Sequence, residues 1–233
     1  MLLSGIQKFS MLDFPGKTSC VVFTLWCNMR CSFCHNPDFV LPEWVKKQMW
    51  NLISEQAFFH FLESRKWLLE WVSICWGEPT LQKDLYSFCK KVKDMWFYVK
   101  LDTNGRDPEI LQKLIEDNLL DYVAMDIKNP LGKFSEITWT QESESPYKES
   151  LTLLLKGKVD YEFRTTVIKK FHSLENIIEI WKNIYWAKNY YLQNFRPGKT
   201  LDKNFEWEGF TEAELLHMKT RLQPYVKNIW IRT

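Results

Sequence analysis

A chain of 233 residues can bury one sizeable hydrophobic core, and 45% apolar with 26% charged residues is an ordinary globular composition. A net charge of +2 gives no electrostatic reason for a nucleic-acid or anionic-membrane partner. Residues 1–6 lack the basic start of a secretion signal and no apolar run nears the ~18 residues of a membrane span, so a cytoplasmic protein is expected.

The first predicted strand is 19–25, whose Val21-Val22-Phe23 is continuously apolar, as in a parallel strand covered on both faces. A helix at 54–66 follows, with Ser54 ahead of Ala57-Phe58-Phe59 as its start. Next come a strand at 71–75, a helix at 82–94, a strand at 97–102 and a helix at 108–118 opened by Asp107-Pro108-Glu109. A strand at 121–126 precedes 130–145, which is polar with few apolar anchors and is expected to be an exposed loop. The pattern then runs helix 147–155, strand 161–168, helix 174–184, strand 190–194, helix 211–224 and a last strand at 228–232.

Repeated strand–helix units give either a doubly wound sheet or a barrel. Polar residues gather where strands end: Asp102-Thr103-Asn104, Asp126 with Lys128, Arg164-Thr165-Thr166, and Gln193. A ring of functional groups at C-terminal strand ends is the arrangement of a (β/α) barrel site. The expectation is therefore an α/β fold, a partial TIM-like (β/α)6 barrel, in one domain over 1–233.

Three of the six cysteines crowd into eight residues, Cys27-Asn28-Met29-Arg30-Cys31-Ser32-Phe33-Cys34, directly after the first predicted strand. Such crowding fits metal ligation better than disulfides, and Cys20, Cys75 and Cys89 read as buried thiols. Thiolates ligate Fe–S clusters, and a cubane has four irons, so three cysteines leave one iron without a protein ligand. The amino and carboxylate groups of S-adenosylmethionine (SAM) can chelate that iron. The competing reading, a closed Cys3His zinc site using His35, would take all its ligands from nine residues, whereas closed zinc sites draw on two knuckles well apart. His35 reads as a packing residue beside the cluster loop.

At these residues the chain resembles the radical SAM superfamily, whose CxxxCxxC signature carries an aromatic at the position of Phe33. Within it, Asp13-Phe14-Pro15-Gly16, the strand Val21–Leu25 and Cys34-His35-Asn36-Pro37 resemble the glycyl-radical-enzyme activases. Gly77-Glu78-Pro79-Thr80, Lys100-Leu101-Asp102-Thr103-Asn104-Gly105, Ala124-Met125-Asp126-Ile127-Lys128 and Arg196-Pro197-Gly198-Lys199 resemble most the group serving anaerobic ribonucleoside-triphosphate reductase. The resemblance implies a [4Fe–4S] cluster on Cys27, Cys31 and Cys34, reduced by a donor such as flavodoxin or ferredoxin. It implies reductive SAM cleavage and hydrogen removal from a glycine of a partner enzyme. It also places the turn Trp76-Gly77-Glu78 and Asp102 at the SAM amino group, Asp126 at the ribose, Lys128 at the carboxylate, and Phe33 and Asn36 at the adenine. Asp13 matches an acid near the substrate peptide, although Phe14 stands where the activases have glycine. A radical SAM enzyme acting on a small molecule or peptide, or an inert Fe–S or zinc binder, are the rival readings.

The chain has 12 Trp and only 8 Gly, where usage of about 7% would give roughly 16 glycines. Trp26, Trp67, Trp71, Trp76, Trp96, Trp139 and Trp186 fall where sequences of the resembled group carry glycine. Either these are glycine codons rendered as tryptophan, or the enzyme is genuinely Trp-rich.

Overall fold

The run Ser19–Thr24 forms a strand, β2, and is preceded by an unexpected one, β1 (Leu3–Ser10), paired to it antiparallel from Leu3↔Thr24 to Ser10↔Ser19. Only the two ends of β1 are buried, so it lacks the alternating apolar signal by which strands are found in sequence. The computed structural model describes residues 1–233 except Pro15, Glu142, Phe205 and Tyr225, and it divides into two units. Pro15 of the Asp13–Gly16 motif and Glu142 of the segment 130–145 thus lie outside the described residues.

The first unit comprises residues 1–28, 36–103 and 107–123. After β1 and β2 come helices α1 (Pro42–Gln48) and α2 (Glu55–Glu63), strand β3 (Trp71–Cys75), helix α3 (Leu85–Asp94), strand β4 (Tyr98–Thr103) and helix α4 (Pro108–Glu116). β2, β3 and β4 are parallel neighbours, with Val22 opposite Ile74 and Ile74 opposite Leu101. All five β3 residues are buried, which is why its sequence shows no polar alternation. Ser54 accepts from the Ala57 N–H and Asp107 from the Ile110 N–H, so both expected helix starts are capped. α3 starts three residues later than expected. Gln82 is drawn away from it, its amide donating to the Leu25 carbonyl at 2.7 Å and its side-chain oxygen accepting from the Leu2 N–H at 3.1 Å.

The second unit comprises residues 29–35, 104–106 and 124–233. Strand β5 (Tyr122–Asp126) enters it, followed by helices α5 (Phe134–Thr138) and α6 (Ser145–Leu155), strand β6 (Asp160–Val167), helix α7 (Leu174–Asn183), strand β7 (Asn189–Asn194), helix α8 (Glu212–Leu222) and strand β8 (Asn228–Arg232). β6, β7 and β8 are parallel, Phe163 facing Tyr190 and Tyr190 facing Ile229. The Arg232 guanidinium grips both oxygens of Glu162 at 3.0 and 3.1 Å, across β7. The expectation of an exposed loop at 130–145 is corrected: Phe134, Ile137 and Thr138 are buried, and their spacing of three and four is a helical stripe too short to register as a period. Apart from antiparallel β1, both units are parallel strands with helices between them, the α/β class expected. Among the described residues no helix is long and apolar enough to cross a membrane.

Ile74 is fully buried at the centre of β3. Ile74→Ala is expected to lower unfolding free energy by about 2–5 kcal/mol, seen as a lower urea midpoint at unchanged slope.

Candidate functional site

A loop rich in cysteine cannot satisfy its own peptide groups, so the chain around it decides its path. Cys27 belongs to the first unit, Cys31 and Cys34 to the second. In the second unit the Arg30 N–H donates to the Thr138 carbonyl at 2.9 Å and the Ser32 N–H to that of Ile137 at 3.4 Å, at the end of α5. From the other side the N–H groups of Leu201 and Asp202 donate to the carbonyls of Cys34 and Ser32 at 2.9 and 3.0 Å. Cys31 is buried and Cys34 half-buried, and among the described residues no cysteine is in a disulfide. Cys20, Cys75 and Cys89 are buried, and burial pushes the thiols of Cys20 and Cys89 up to about 12, consistent with inert core residues. Among the described residues no group of three His, Cys, Asp or Glu is gathered tightly enough to hold a single metal ion. His35 packs, stacking on Phe195 at 5.3 Å with Nδ1 donating to the Lys199 carbonyl at 3.1 Å.

Beside this loop lies a charged cluster at the end of β5. The Asp126 carboxylate receives Lys128 Nζ at 2.8 Å on one oxygen and Arg164 Nε at 2.8 Å on the other. The Ile127 N–H donates to the Arg164 carbonyl at 2.7 Å, fixing the register that lets Arg164 reach Asp126. Burial alone would raise the Asp126 carboxyl, but Arg164 and then Lys128 outweigh it and hold it at about 2. Burial would lower Lys128, yet Asp126 and then the charge of Cys31 keep it protonated well above its ordinary value. Lys128 Nζ also lies 5.8 Å from the Phe33 ring centroid. The cluster thus sets two cations beside one carboxylate, with Cys31 a further negative neighbour of Lys128.

His172 supports this cluster from beneath. It is fully buried, its Nδ1 accepts the Ile168 N–H at 3.0 Å, and its Nε2 therefore donates to the Lys128 carbonyl at 2.9 Å. Burial lowers the imidazole to about 4, so it is neutral at pH 7. Sequence reading missed His172, which no motif marks. It had Arg164 only within the ring of strand-end polar residues, a signal that sufficed to find it.

In the first unit the turn after β3 closes onto the end of β2. The Thr24 hydroxyl donates to the Trp76 carbonyl at 2.5 Å and the Glu78 N–H to the Trp26 carbonyl at 2.6 Å. A side chain at Gly77, which has φ +54°, would start 2.5 Å from the Trp26 carbonyl oxygen, so only glycine fits. The Glu78 carboxylate is buried, with one oxygen accepting from the Thr80 N–H and from the hydroxyls of Thr80 and Thr103. The carboxylate thus braces the turn, and the expected role of this turn toward SAM runs through its backbone. Asp102 pairs with the buried Lys100 at 2.8 Å. Asn36 precedes a short 3-10 turn at Pro37–Phe39 without capping it. The Trp76 ring stacks on Phe23 at 4.0 Å. Asp13 is held by the Ser10 hydroxyl near Ser19, at the start of β2, whereas Cys27 follows its far end. A strand advances ~3.3 Å per residue, so the length of β2 lies between Asp13 and Cys27.

Comparison with known proteins gives four findings. The sequence pattern of the Radical SAM superfamily matches residues 21–182. The protein MJ1227 of Methanocaldococcus jannaschii, named as a glycyl-radical enzyme activating enzyme, is 34% identical over 238 residues, covering 100% of this chain and 96% of the relative. The pyruvate formate-lyase-activating enzyme of Listeria monocytogenes is 30% identical over 159 residues, covering 61% of this chain and 58% of the relative. Among solved structures, Streptococcus suis SuiB bound to S-adenosylmethionine superposes with a TM-score of 0.67 at 14% identity. This covers 90% of the chain, which spans about half the length of SuiB. That likeness shows a shared fold.

The buried imidazole makes acid stability testable. Between pH 6.5, the unperturbed histidine value, and about 4, the unfolded chain takes up a proton that folded His172 does not, so stability falls as pH falls. Urea titrations of the wild type are expected to show about 2 kcal/mol more stability at pH 7 than at pH 5 from this group. His172→Gln is expected to remove most of that difference.

Proposed function

We propose, from the premise that this chain belongs to the radical SAM superfamily, that it is a glycyl-radical-enzyme activase whose partner is an anaerobic ribonucleoside-triphosphate reductase. The observation that carries the reading is the three-thiol loop Cys27–Cys34 in a chain similar over its whole length to an activating enzyme. The donor set fits a cubane: three thiols within eight residues, none in a disulfide among the described residues, one of them beside the Lys128 ammonium, which favours a thiolate. When bound, a [4Fe–4S] cluster and SAM supply one-electron scission of a sulfonium carbon–sulfur bond, chemistry that amino-acid side chains lack.

The chain's own groups then bind and orient. Cys27, Cys31 and Cys34 hold three irons and leave one corner for SAM. Lys128, kept charged by Asp126, takes the SAM carboxylate, its ammonium favouring that group over a neutral one. Asp126 orients Lys128 and offers its remaining acceptor capacity to the ribose hydroxyls. Phe33 presents a ring face to the adenine. The Trp76-Gly77-Glu78 turn and Asp102 are assigned to the SAM amino group on the sequence pattern, through the backbone in the case of Glu78. Asp13 is assigned to the substrate-peptide side on the sequence pattern alone. The electron donor, flavodoxin or ferredoxin, belongs to the same reading, as does an anaerobic cytoplasm.

Anaerobic reconstitution with iron and sulfide is expected to load about four irons per chain, with dithionite and SAM then yielding 5′-deoxyadenosine. Cys31→Ala is expected to lose both. Lys128→Met is expected to keep the iron and its absorbance while binding SAM at least ~10-fold more weakly, the scale of a lost charge-assisted contact. Addition of the reductase is expected to give a glycyl-radical EPR doublet. Nucleoside formation without that doublet would point to a small-molecule or peptide substrate, and no nucleoside at full iron content would mark an inert binder.

A further inference from the structure

Six non-glycine residues among those described have a left-handed backbone, and five of them are tryptophan: Trp26 at φ +73°, Trp76 at +59°, Trp96 at +70°, Trp139 at +51° and Trp186 at +73°. The sixth is Asn118 at +55°. An L side chain in this region drives its Cβ against the backbone, which asparagine tolerates and a bulky residue does not. The other seven tryptophans, including Trp67 and Trp71, adopt no such backbone.

The local hydrogen bonds say which residue these places want. At the end of α3 the Trp96 N–H donates to the Lys93 carbonyl at 2.8 Å and the Phe97 N–H to that of Val92 at 3.3 Å. That pair of bonds is a Schellman exit with Trp96 at the position glycine ordinarily fills. α4 leaves in the same way through Asn118, with Asn118 N–H to Ile115 at 3.1 Å and Leu119 N–H to Leu114 at 2.9 Å. After α6 the left-handed residue is a glycine, Gly157 at +69°. Trp139 terminates α5, and Trp186 lies three residues past α7. Packing supplies no counter-reason, since Trp96 is 91%, Trp186 76% and Trp139 53% exposed. Each of these three indoles carries a strained backbone with little burial to offset it.

We propose that positions 26, 76, 96, 139 and 186 are glycine in the polypeptide its source organism makes, because one codon there is decoded as glycine where the written chain has tryptophan. Independent replacements would scatter several residue types over left-handed sites. A single reassigned codon yields one type at all of them and leaves tryptophans at ordinary φ untouched. The reassigned codon is UGA, which lies one base from the tryptophan codon UGG and is the one read as tryptophan under other decoding rules. The inference does not rest on the proposed function, because conformation alone carries it.

The coding DNA and two pairs of variants test it. UGA is expected at all five positions and UGG at Trp44, Trp50, Trp181, Trp207 and Trp230, and UGG at the five would overturn the proposal. Tryptic peptides from the native organism are expected to be lighter by an indolylmethyl group less one hydrogen at each position, and masses matching tryptophan would overturn it equally. In the chain as written, Trp96→Gly and Trp186→Gly are each expected to raise Tm by roughly 2–8 °C, with the alanine variants gaining less because they keep the strained φ. Trp50→Gly is the control, being 90% exposed without a left-handed backbone, and is expected to give no gain. Equal gains for alanine and glycine, or a gain at position 50 as large as at 96, would show that conformation is not the cause.

Discussion

On the proposed reading three side chains are given over to one inorganic ligand set, and the peptide groups of the cysteine loop are held largely by neighbouring segments. Its N–H groups at Arg30 and Ser32 are taken by the last carbonyls of α5, and its carbonyls at Ser32 and Cys34 by the N–H groups of Asp202 and Leu201. An unmatched buried peptide group costs about 1–3 kcal/mol, so four matched ones strongly bias a single loop path. The Cys34 N–H to Cys31 carbonyl bond, 2.9 Å, adds a tight turn within the loop. A five-residue helix thereby acquires a purpose beyond packing, since its exposed C-terminal carbonyls are the anchor.

The charge cluster obeys a related economy. Asp126 and Lys128 stand two apart at a strand end, so both project to one side, and the Ile127 N–H between them is spent on β6. That bond sets the register in which Arg164 meets the carboxylate. Taking away one member of a buried ionic group leaves the others uncompensated and costs about 3–5 kcal/mol, which ties the three together. His172 fixes the Lys128 carbonyl with the one tautomer that its Ile168 contact permits. A neutral imidazole suits that place because burial disfavours the charged ring.

Much of this was legible in the chain. Apolar runs gave β2 and β3, caps gave α2 and α4, and the cysteine spacing gave the cluster loop without any structure. What escaped detection shares a physical cause. β1 buries only its ends, α5 is shorter than two turns, and His172 acts through a backbone carbonyl, so none of them imprints a period or a motif. Asp13 and Glu78 were legible as acids, but the partners that hold them were not. The first is committed to its own turn through Ser10 and the second to two threonine hydroxyls and an N–H, and such partners are far apart or unremarkable in sequence.

Glycine shows the same limit from the opposite side. A sequence cannot announce that a position requires positive φ, because the requirement comes from what the neighbouring segment does there. At position 77 the demand arises from the end of β2, whose Trp26 carbonyl sits where a Cβ would go and accepts the Glu78 N–H instead. The two segments approach so closely because Thr24 and Gln82 each bond backbone atoms of the facing segment. Removing either side chain would relax the approach, but at φ +54° a larger residue at 77 would stay strained whatever the space. The glycine answers both to the polar ties, which hold the turn against the strand, and to the left-handed backbone that the turn adopts there.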